Sequence, residues 1–247
     1  MRPFESTRRA SGHGPLLALV ALLGGVWWGS LAAGAEDAAA GWQRALRDIG
    51  SQLLAEEWAA AEAACETLAA ELTDTIVGGT GADVLLAMTA TYRAIALSGL
   101  GRGDEAVWDW QVAQQLFPDV RQLDLAAFGP AGSYLGLHPP RRPAVERPDG
   151  PPRRGAVEPL VEVAAPAPEC PAGQAFHGLS VDVVVQVVVG EDGRPREPLI
   201  LSSSGEHTLV WATLEALRSW RFEPARRDGR PEAALYKLTA SYVVPSG

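Results

Sequence analysis

The hydrophobic and polar positions of this chain fall into successive patterns, and each predicts a different kind of element. After Arg2, Arg8 and Arg9, an apolar run extends from Gly14 to Ala35, interrupted by Ser30. Residues 42–72 then hold few turn formers and many Ala, Leu and Glu. Leu46, Ile49, Leu53 and Leu54 recur at helical spacing, and Trp58, Ala61, Cys65 and Leu68 repeat the pattern, which predicts a pair of helices. A glycine break at 78–81 precedes a second pair, Asp83 to Ser98 and Asp104 to Phe117, split by a Gly-rich turn at 99–103 and stopped by Pro118. From 138 to 171, ten prolines displace the large apolar side chains, so this stretch predicts an extended spacer that buries no core. Fully polyproline-like at roughly 3.1 Å per residue, it would reach about 100 Å.

Beyond the spacer the period changes to two. Val181, Val183, Val185, Val187 and Val189 share one strand face, and Asp182, Val184, Gln186 and Val188 share the other. The run Gly190-Glu191-Asp192-Gly193-Arg194-Pro195 predicts a hairpin turn, with Asp-Gly tolerating positive φ. A second strand covers about 196–202, and a helix runs from about His207 to Ser219 with Val210, Leu214 and Leu217 on one face. Trp220 and Phe222 bracket Arg221, which sends the aromatics inward and Arg221 outward. After the Asp228-Gly229-Arg230-Pro231 turn comes a last strand. Leu235, Lys237, Thr239, Ser241 and Val243 lie on one face of it, alternating with Tyr236, Leu238, Ala240, Tyr242 and Val244. The fold class is α+β: all-α hairpins over 36–137, a Pro-rich linker over 138–177 and a β-β-α-β unit over 178–247.

Residues 1–35 have the form of an export signal. The run ends in Ala33-Gly34-Ala35 before Glu36-Asp37, a small-x-small site that predicts cleavage between Ala35 and Glu36. The alternative is an uncleaved single-span anchor, since such a run is long enough to cross a bilayer, although Gly24, Gly25 and Gly29 weaken it as a helix. Either way the remainder is expected in the periplasm, and in the anchored form it hangs from the inner membrane.

Composition and charge narrow the function. A chain of 247 residues, 47% hydrophobic with 8 Trp, is not disordered throughout, and a net charge of −9 leaves no basic footprint for nucleic acid. The acid is concentrated in residues 36–137, which carry 15 acidic and 5 basic side chains. Cys65 and Cys170 form neither a disulfide framework nor a zinc site, and whether they pair is open. His13, His138, His177 and His207 have no metal-ligand spacing. The glycine run at 78–81 lacks the Lys-Ser/Thr of a phosphate loop, and Ser202–Ser204 with His207 lacks a nucleophile elbow. No catalytic, cofactor-binding or metal residue is predicted, and the chain is read as not an enzyme.

The second helix pair resembles a tetratricopeptide repeat. Counting back 34 residues from Pro118 places Ala94, Leu97, Ala106, Trp110 and Ala113 on the small or large positions that repeat favours. Small Ala94 and Ala106 let two antiparallel helices approach, and Trp110 fills the groove beside them. Trp108 and Trp110 are read as core and not as a ligand platform, with exposure the alternative for Trp108, two positions away. The first pair fits with an insertion near 73–82. Such a domain would bind a protein partner.

The C-terminal unit resembles the C-terminal domain of the TonB family. The marks are the Val strand before Gly-Glu-Asp-Gly, Ser-Ser-Ser-Gly at 202–205, the amphipathic helix, the block Trp220-Arg221-Phe222-Glu223-Pro224-Ala225 and the Asp-Gly-Arg-Pro turn. The resemblance implies that a sheet edge accepts an extended peptide of an outer-membrane receptor, with main-chain hydrogen bonds supplying affinity. Leu235 to Val244 is the edge it points to, so Leu235, Lys237, Thr239, Ser241 and Val243 are the candidate partner-binding residues, with Arg221 beside them. Lys237 has a second reading, as a guard against edge-to-edge aggregation, and Arg221 one as a solvated or acid-paired side chain. Energy-transducing members carry a Ser and a His one turn apart in their N-terminal span, whereas here the run has Ser30 and His13 lies outside it. They commonly have Tyr-Pro before the first strand, where this chain has Glu169-Cys170-Pro171-Ala172. The expectation is a periplasmic adaptor binding envelope proteins; the alternative is a membrane-anchored TonB-type energy transducer.

Overall fold

The computed structural model describes residues 33–75, 81–139, 157–171, 180–203 and 207–243. The apolar run falls almost wholly outside them, and Ala35 and Glu36 lie within the first turns of helix α1 (Ala33–Leu54). Among the described residues no helix is long and apolar enough to cross a membrane.

Helix α1 buries Ala39, Trp42, Leu46, Ile49 and Leu53 along one stripe. It ends in a tight turn at Glu56, whose φ is +58°, and α2 (Trp58–Thr75) turns back with Ala61, Cys65, Leu68, Ala69 and Leu72 facing the same core. The Trp42 indole donates to Glu71 across this hairpin at 2.9 Å. Helix α3 (Ala82–Gly99) is the centre of the domain, buried on every side from Leu85 to Leu97 because α2, α4 and α5 surround it. Its last residue must be small: a Cβ on Gly99 would come within 2.3 Å of the Trp58 ring. Helix α4 (Gly103–Leu116) completes the second hairpin. Two 3-10 turns (Pro118–Gln122 and Leu125–Phe128) and the short α5 (Gly129–Gly136) close the end of the bundle.

The second helix pair falls where the periodicity puts it, α1 starts earlier than the 42–72 pattern, at Ala33, and of the two readings of Trp108 the buried one holds. Trp108 is buried, as Trp110 is, because α4 packs on α3 through one side and against the C-terminal domain through the other. A helix covered on both sides has no outward face for Trp108 to occupy.

The Pro-rich stretch also differs from expectation in its second half. Val157–Glu158 forms β1 and Val161–Ala164 forms β2. Both are antiparallel to short strands of the C-terminal domain, β1 with β6 (Arg226–Arg227) and β2 with β5 (Arg221–Glu223). Farther on, the Trp220 indole donates to the Pro166 carbonyl at 2.9 Å, and the Tyr236 hydroxyl donates to Glu162 at 2.5 Å. Proline removes a donor without preventing an extended chain from pairing through its neighbours, so 157–171 is fastened to the domain instead of spanning free space.

The main sheet has the order β4-β3-β8, with β3 (Ser180–Val189), β4 (Pro195–Ser202) and β8 (Ala234–Val243) all antiparallel. The five alternate valines of β3 are buried under α6 (His207–Ser219), which presents Leu209, Val210, Leu214 and Leu217. The β3–β4 turn uses Gly193 for two reasons. Its φ is +73°, and a Cβ there would sit 2.0 Å from the Phe222 carbonyl oxygen, while the Phe222 N–H donates to the Gly193 carbonyl at 3.0 Å. Trp220, Phe222 and Tyr236 cluster below the sheet with ring centroids 5.0–6.1 Å apart. Between α6 and β8, β7 (Arg230–Pro231) pairs with β6 as a short ribbon.

Candidate functional site: one open sheet edge and one closed

Strand β8 lies at one edge of the sheet, paired along its whole length with β3 from Ser180↔Val243 to Val189↔Ala234. Its outward face carries Leu235, Lys237, Thr239 and Ser241, all exposed, and the Leu235 side chain is 49% accessible. Lys237 stands opposite Gln186, Thr239 opposite Val184, and the Ser241 hydroxyl donates to Asp182 at 2.7 Å. Val243 belongs to β8, and its side chain lies outside the described residues. The opposite face holds Ala240 and Tyr242 in the core, where the Tyr242 hydroxyl reaches Thr213 at 2.7 Å and the Leu209 carbonyl at 3.2 Å. Burial first of all raises the Tyr242 pKa, so the phenol is neutral. The alternation pins the register, and because no strand lies beyond β8 its outer backbone groups are unpaired among the described residues.

The other edge, β4, is closed by helix α4. The Gln115 amide donates from Nε2 to the Pro198 carbonyl at 2.7 Å and accepts at Oε1 from the Ile200 N–H at 2.8 Å. Asp104, on the same helix, pairs with Arg196 at 3.2 Å.

A buried charge network holds this docking together. Arg93 of α3 donates to both carboxylate oxygens of Asp109 (Nε to Oδ2 2.6 Å, Nη2 to Oδ1 2.8 Å) and to Glu215 of α6 (Nη2 to Oε1 2.5 Å). Arg218 of α6 reaches Asp109 at 3.3 Å, and the Arg93 guanidinium carbon lies 5.0 Å from the Trp211 ring centroid. Arg93 and Asp109 are thus removed from water together at the domain boundary, with Glu215 and Arg218 half-buried beside them. Burial disfavours the Glu215 carboxylate, but Arg93 and Arg218 outweigh it and hold its pKa below the ordinary value. Beside the network a cleft of about 640 Å³ opens between α2, α6 and the segment after β2, lined by Glu66, Asp74, Glu169, Cys170 and Trp211.

Arg221 is exposed, and its Nη1 donates to the carbonyls of Arg218, Ser219 and Trp220 at 3.4, 3.1 and 2.6 Å. It therefore caps the C-terminal end of α6, a role that no local sequence pattern announces. Ala94, Ala106, Trp110 and Ala113 are buried between α3 and α4, while Pro118 is exposed and opens the first 3-10 turn. Cys65 and Cys170 are both free thiols, the first buried and the second exposed. Burial pushes the Cys65 thiol up to about 12. Among the described residues no group of His, Cys, Asp and Glu could hold a metal ion.

The comparison with known proteins bears on this same sheet. Residues 166–244 match the family model for the Gram-negative bacterial TonB protein C-terminal. The C-terminal domain is a TonB C-terminal domain. The match begins at Pro166, which accepts the Trp220 indole, and so takes in the fastened end of the Pro-rich stretch as well as the β-β-α-β unit. Protein tonB2 of Pseudomonas aeruginosa is 37% identical over 67 residues, which are 27% of this chain and 25% of that protein. The chain thus spans a quarter of that relative's length. Gln115, Arg93 and Asp109 lie outside the family match, so the contacts that close β4 come from the helical domain.

Proposed function

We propose that this protein is a non-enzymatic, TonB-like component of the bacterial cell envelope that takes an extended peptide of an outer-membrane receptor onto the edge of β8. The observation that carries the reading is the asymmetry of the sheet: β8 presents ten residues of edge with an exposed outward face, whereas β4 is covered. An added strand would satisfy the outer main-chain groups of β8, and alternate pockets around Leu235, Lys237, Thr239, Ser241 and Val243 would read its side chains. The helical domain, with its tetratricopeptide-like second hairpin and acid-rich surface, binds a second envelope protein. The mature chain starts at Glu36 in the periplasm, which makes it an adaptor instead of a transducer tied to the inner membrane.

The test is a labelled synthetic peptide copied from the periplasmic N-terminal segment of a TonB-dependent receptor, titrated against the full chain. Binding should slow amide exchange along β8 and leave β4 unchanged, and Thr239→Pro should abolish it while near-ultraviolet circular dichroism stays native. Retained binding in a folded Thr239→Pro variant refutes the strand-addition reading, as does protection confined to another element. The mass of the native protein from fractionated cells tests the topology. A soluble chain beginning at Glu36 supports the adaptor, and an intact N-terminus in the inner-membrane fraction supports the anchored transducer.

A further inference from the structure

Gln115 does for β4 what a neighbouring strand would do. In an antiparallel ladder, a strand offers one donor and one acceptor to a carbonyl and an N–H that point out on the same side two residues apart. Pro198 and Ile200 are such a pair, and the side-chain amide of Gln115 supplies both partners, at 2.7 and 2.8 Å. The remaining Nε2 hydrogen goes to the Gln111 carbonyl one turn back at 3.1 Å, so the amide is held by its own helix while it bridges the edge. Helix α4 also carries Asp104, whose ion pair with Arg196 fixes the near end of β4.

We propose that helix α4 is an intramolecular strand mimic that closes the β4 edge against a second copy of this chain. The occupant it excludes follows from the backbone. Two β4 strands brought together antiparallel about Leu199 place Pro198 of each opposite Ile200 of the other. The bonds they would exchange are Ile200 N–H to Pro198 carbonyl, twice, and these are the groups that Gln115 occupies. The side chains do not oppose such pairing. From Pro198 to Ser202 the strand reads Pro-Leu-Ile-Leu-Ser without a charge, and Leu201 is 41% exposed. Strand β8 differs, since Lys237 stands in its middle and repels a like edge. One edge is guarded by its own lysine and left open for a partner. The other has no charge between Pro198 and Ser202, and that stretch is guarded by a helix from another domain. Isologous pairing of two such edges is the simplest closed assembly available to the uncapped sheet.

The test measures association of the full chain by sedimentation over a hundredfold range of concentration, with no receptor peptide present. The outcome is therefore separate from whether β8 binds a peptide. The wild type should keep the monomer mass throughout. Gln115→Leu, which keeps the volume and removes both bonds, should rise toward twice that mass with concentration and speed exchange of the Ile200 amide at least tenfold at low concentration. Ile200→Pro added to Gln115→Leu should restore the monomer, because it deletes the exchanged donor. If Gln115→Leu loses native near-ultraviolet dichroism, Gln115→Asn, one methylene too short to bridge, takes its place. A folded variant that stays monomeric at every concentration overturns the proposal. So does a dimer that Ile200→Pro leaves intact, or a wild type that dimerises to the same extent.

Discussion

Removing Asp109 should be among the most damaging single changes in the chain, and removing Arg93 with it should be far less so. Asp109 is 1% exposed and accepts three hydrogen bonds, two from Arg93 and one from Arg218. In Asp109→Ala the Arg93 guanidinium, itself 3% exposed, keeps Glu215 as its single anion and loses the partner on its own domain. Breaking a buried pair from one side typically costs about 3–5 kcal/mol, since the orphaned ion cannot recover its water. For a chain of this size that corresponds to a fall in melting temperature of roughly 6–20 °C. Arg93→Met with Asp109→Leu removes both ions and leaves Glu215 beside Arg218, so the loss should shrink to within about 2 kcal/mol of wild type. Arg218→Ala alone, acting on a side chain 21% exposed, should cost about 1 kcal/mol or less. Urea unfolding followed by tryptophan fluorescence reads all three. If Asp109→Ala costs under about 1 kcal/mol, or the double variant is as damaged as the single, the network is not desolvated in solution and the docking of the two domains is wrong.

Gly193→Ala should destabilise the C-terminal domain by about 2–4 kcal/mol in the same assay. The new Cβ meets the Phe222 carbonyl in a positive-φ turn, so both the strain and the Phe222 N–H bond are affected; a loss below about 0.5 kcal/mol refutes the close approach. Glu215 has its pKa lowered on folding, so it adds stability above the ordinary carboxylate range that disappears as pH falls toward its folded pKa. Glu215→Gln should therefore be less stable than wild type near neutrality and converge with it in acid, and parallel stability curves would contradict this. In the native protein a thiol reagent should modify Cys170 quickly and Cys65 only after denaturant is added. Two fast thiols would mean that the α2–α3 core is open.

The elements with a strong period were legible in the sequence. The five alternate valines of β3 and the Val210–Leu214–Leu217 stripe of α6 each sort one face into the core, and nothing elsewhere overrides them. The outward set on β8 follows from the same alternation. The closed edge and the charge network were not legible, because pattern rules assign charged and amide side chains to solvent. Arg93 and Glu215 meet across 122 positions, a distance no local period registers. One signal was available: Arg93 stands as a lone charge in the stretch 84–98 of α3, and a cation there needs a buried anion. The strands β1 and β2 were hidden for another reason. Their Val-Glu-x-x-Val-Glu-Val alternation sits among prolines, and composition obscured it. The flanking aromatics put Arg221 outward, but its bonds to three carbonyls depend on how the chain leaves α6.

Because 157–171 is stitched to the C-terminal domain, the covalent tether between the two docked bodies is only the residues from 140 to 156. Whatever their conformation, 17 residues can span at most about 60 Å at roughly 3.3–3.6 Å each. Confinement within that reach keeps the local concentration of one domain around the other at roughly millimolar. The polar contacts between α4 and β4 therefore need little intrinsic affinity to stay closed in the intact chain. A free helical domain added to a severed C-terminal domain would have to approach millimolar levels to restore the same occupancy. Cutting the chain between 140 and 156 would turn a contact that is nearly always made into one governed by dilution.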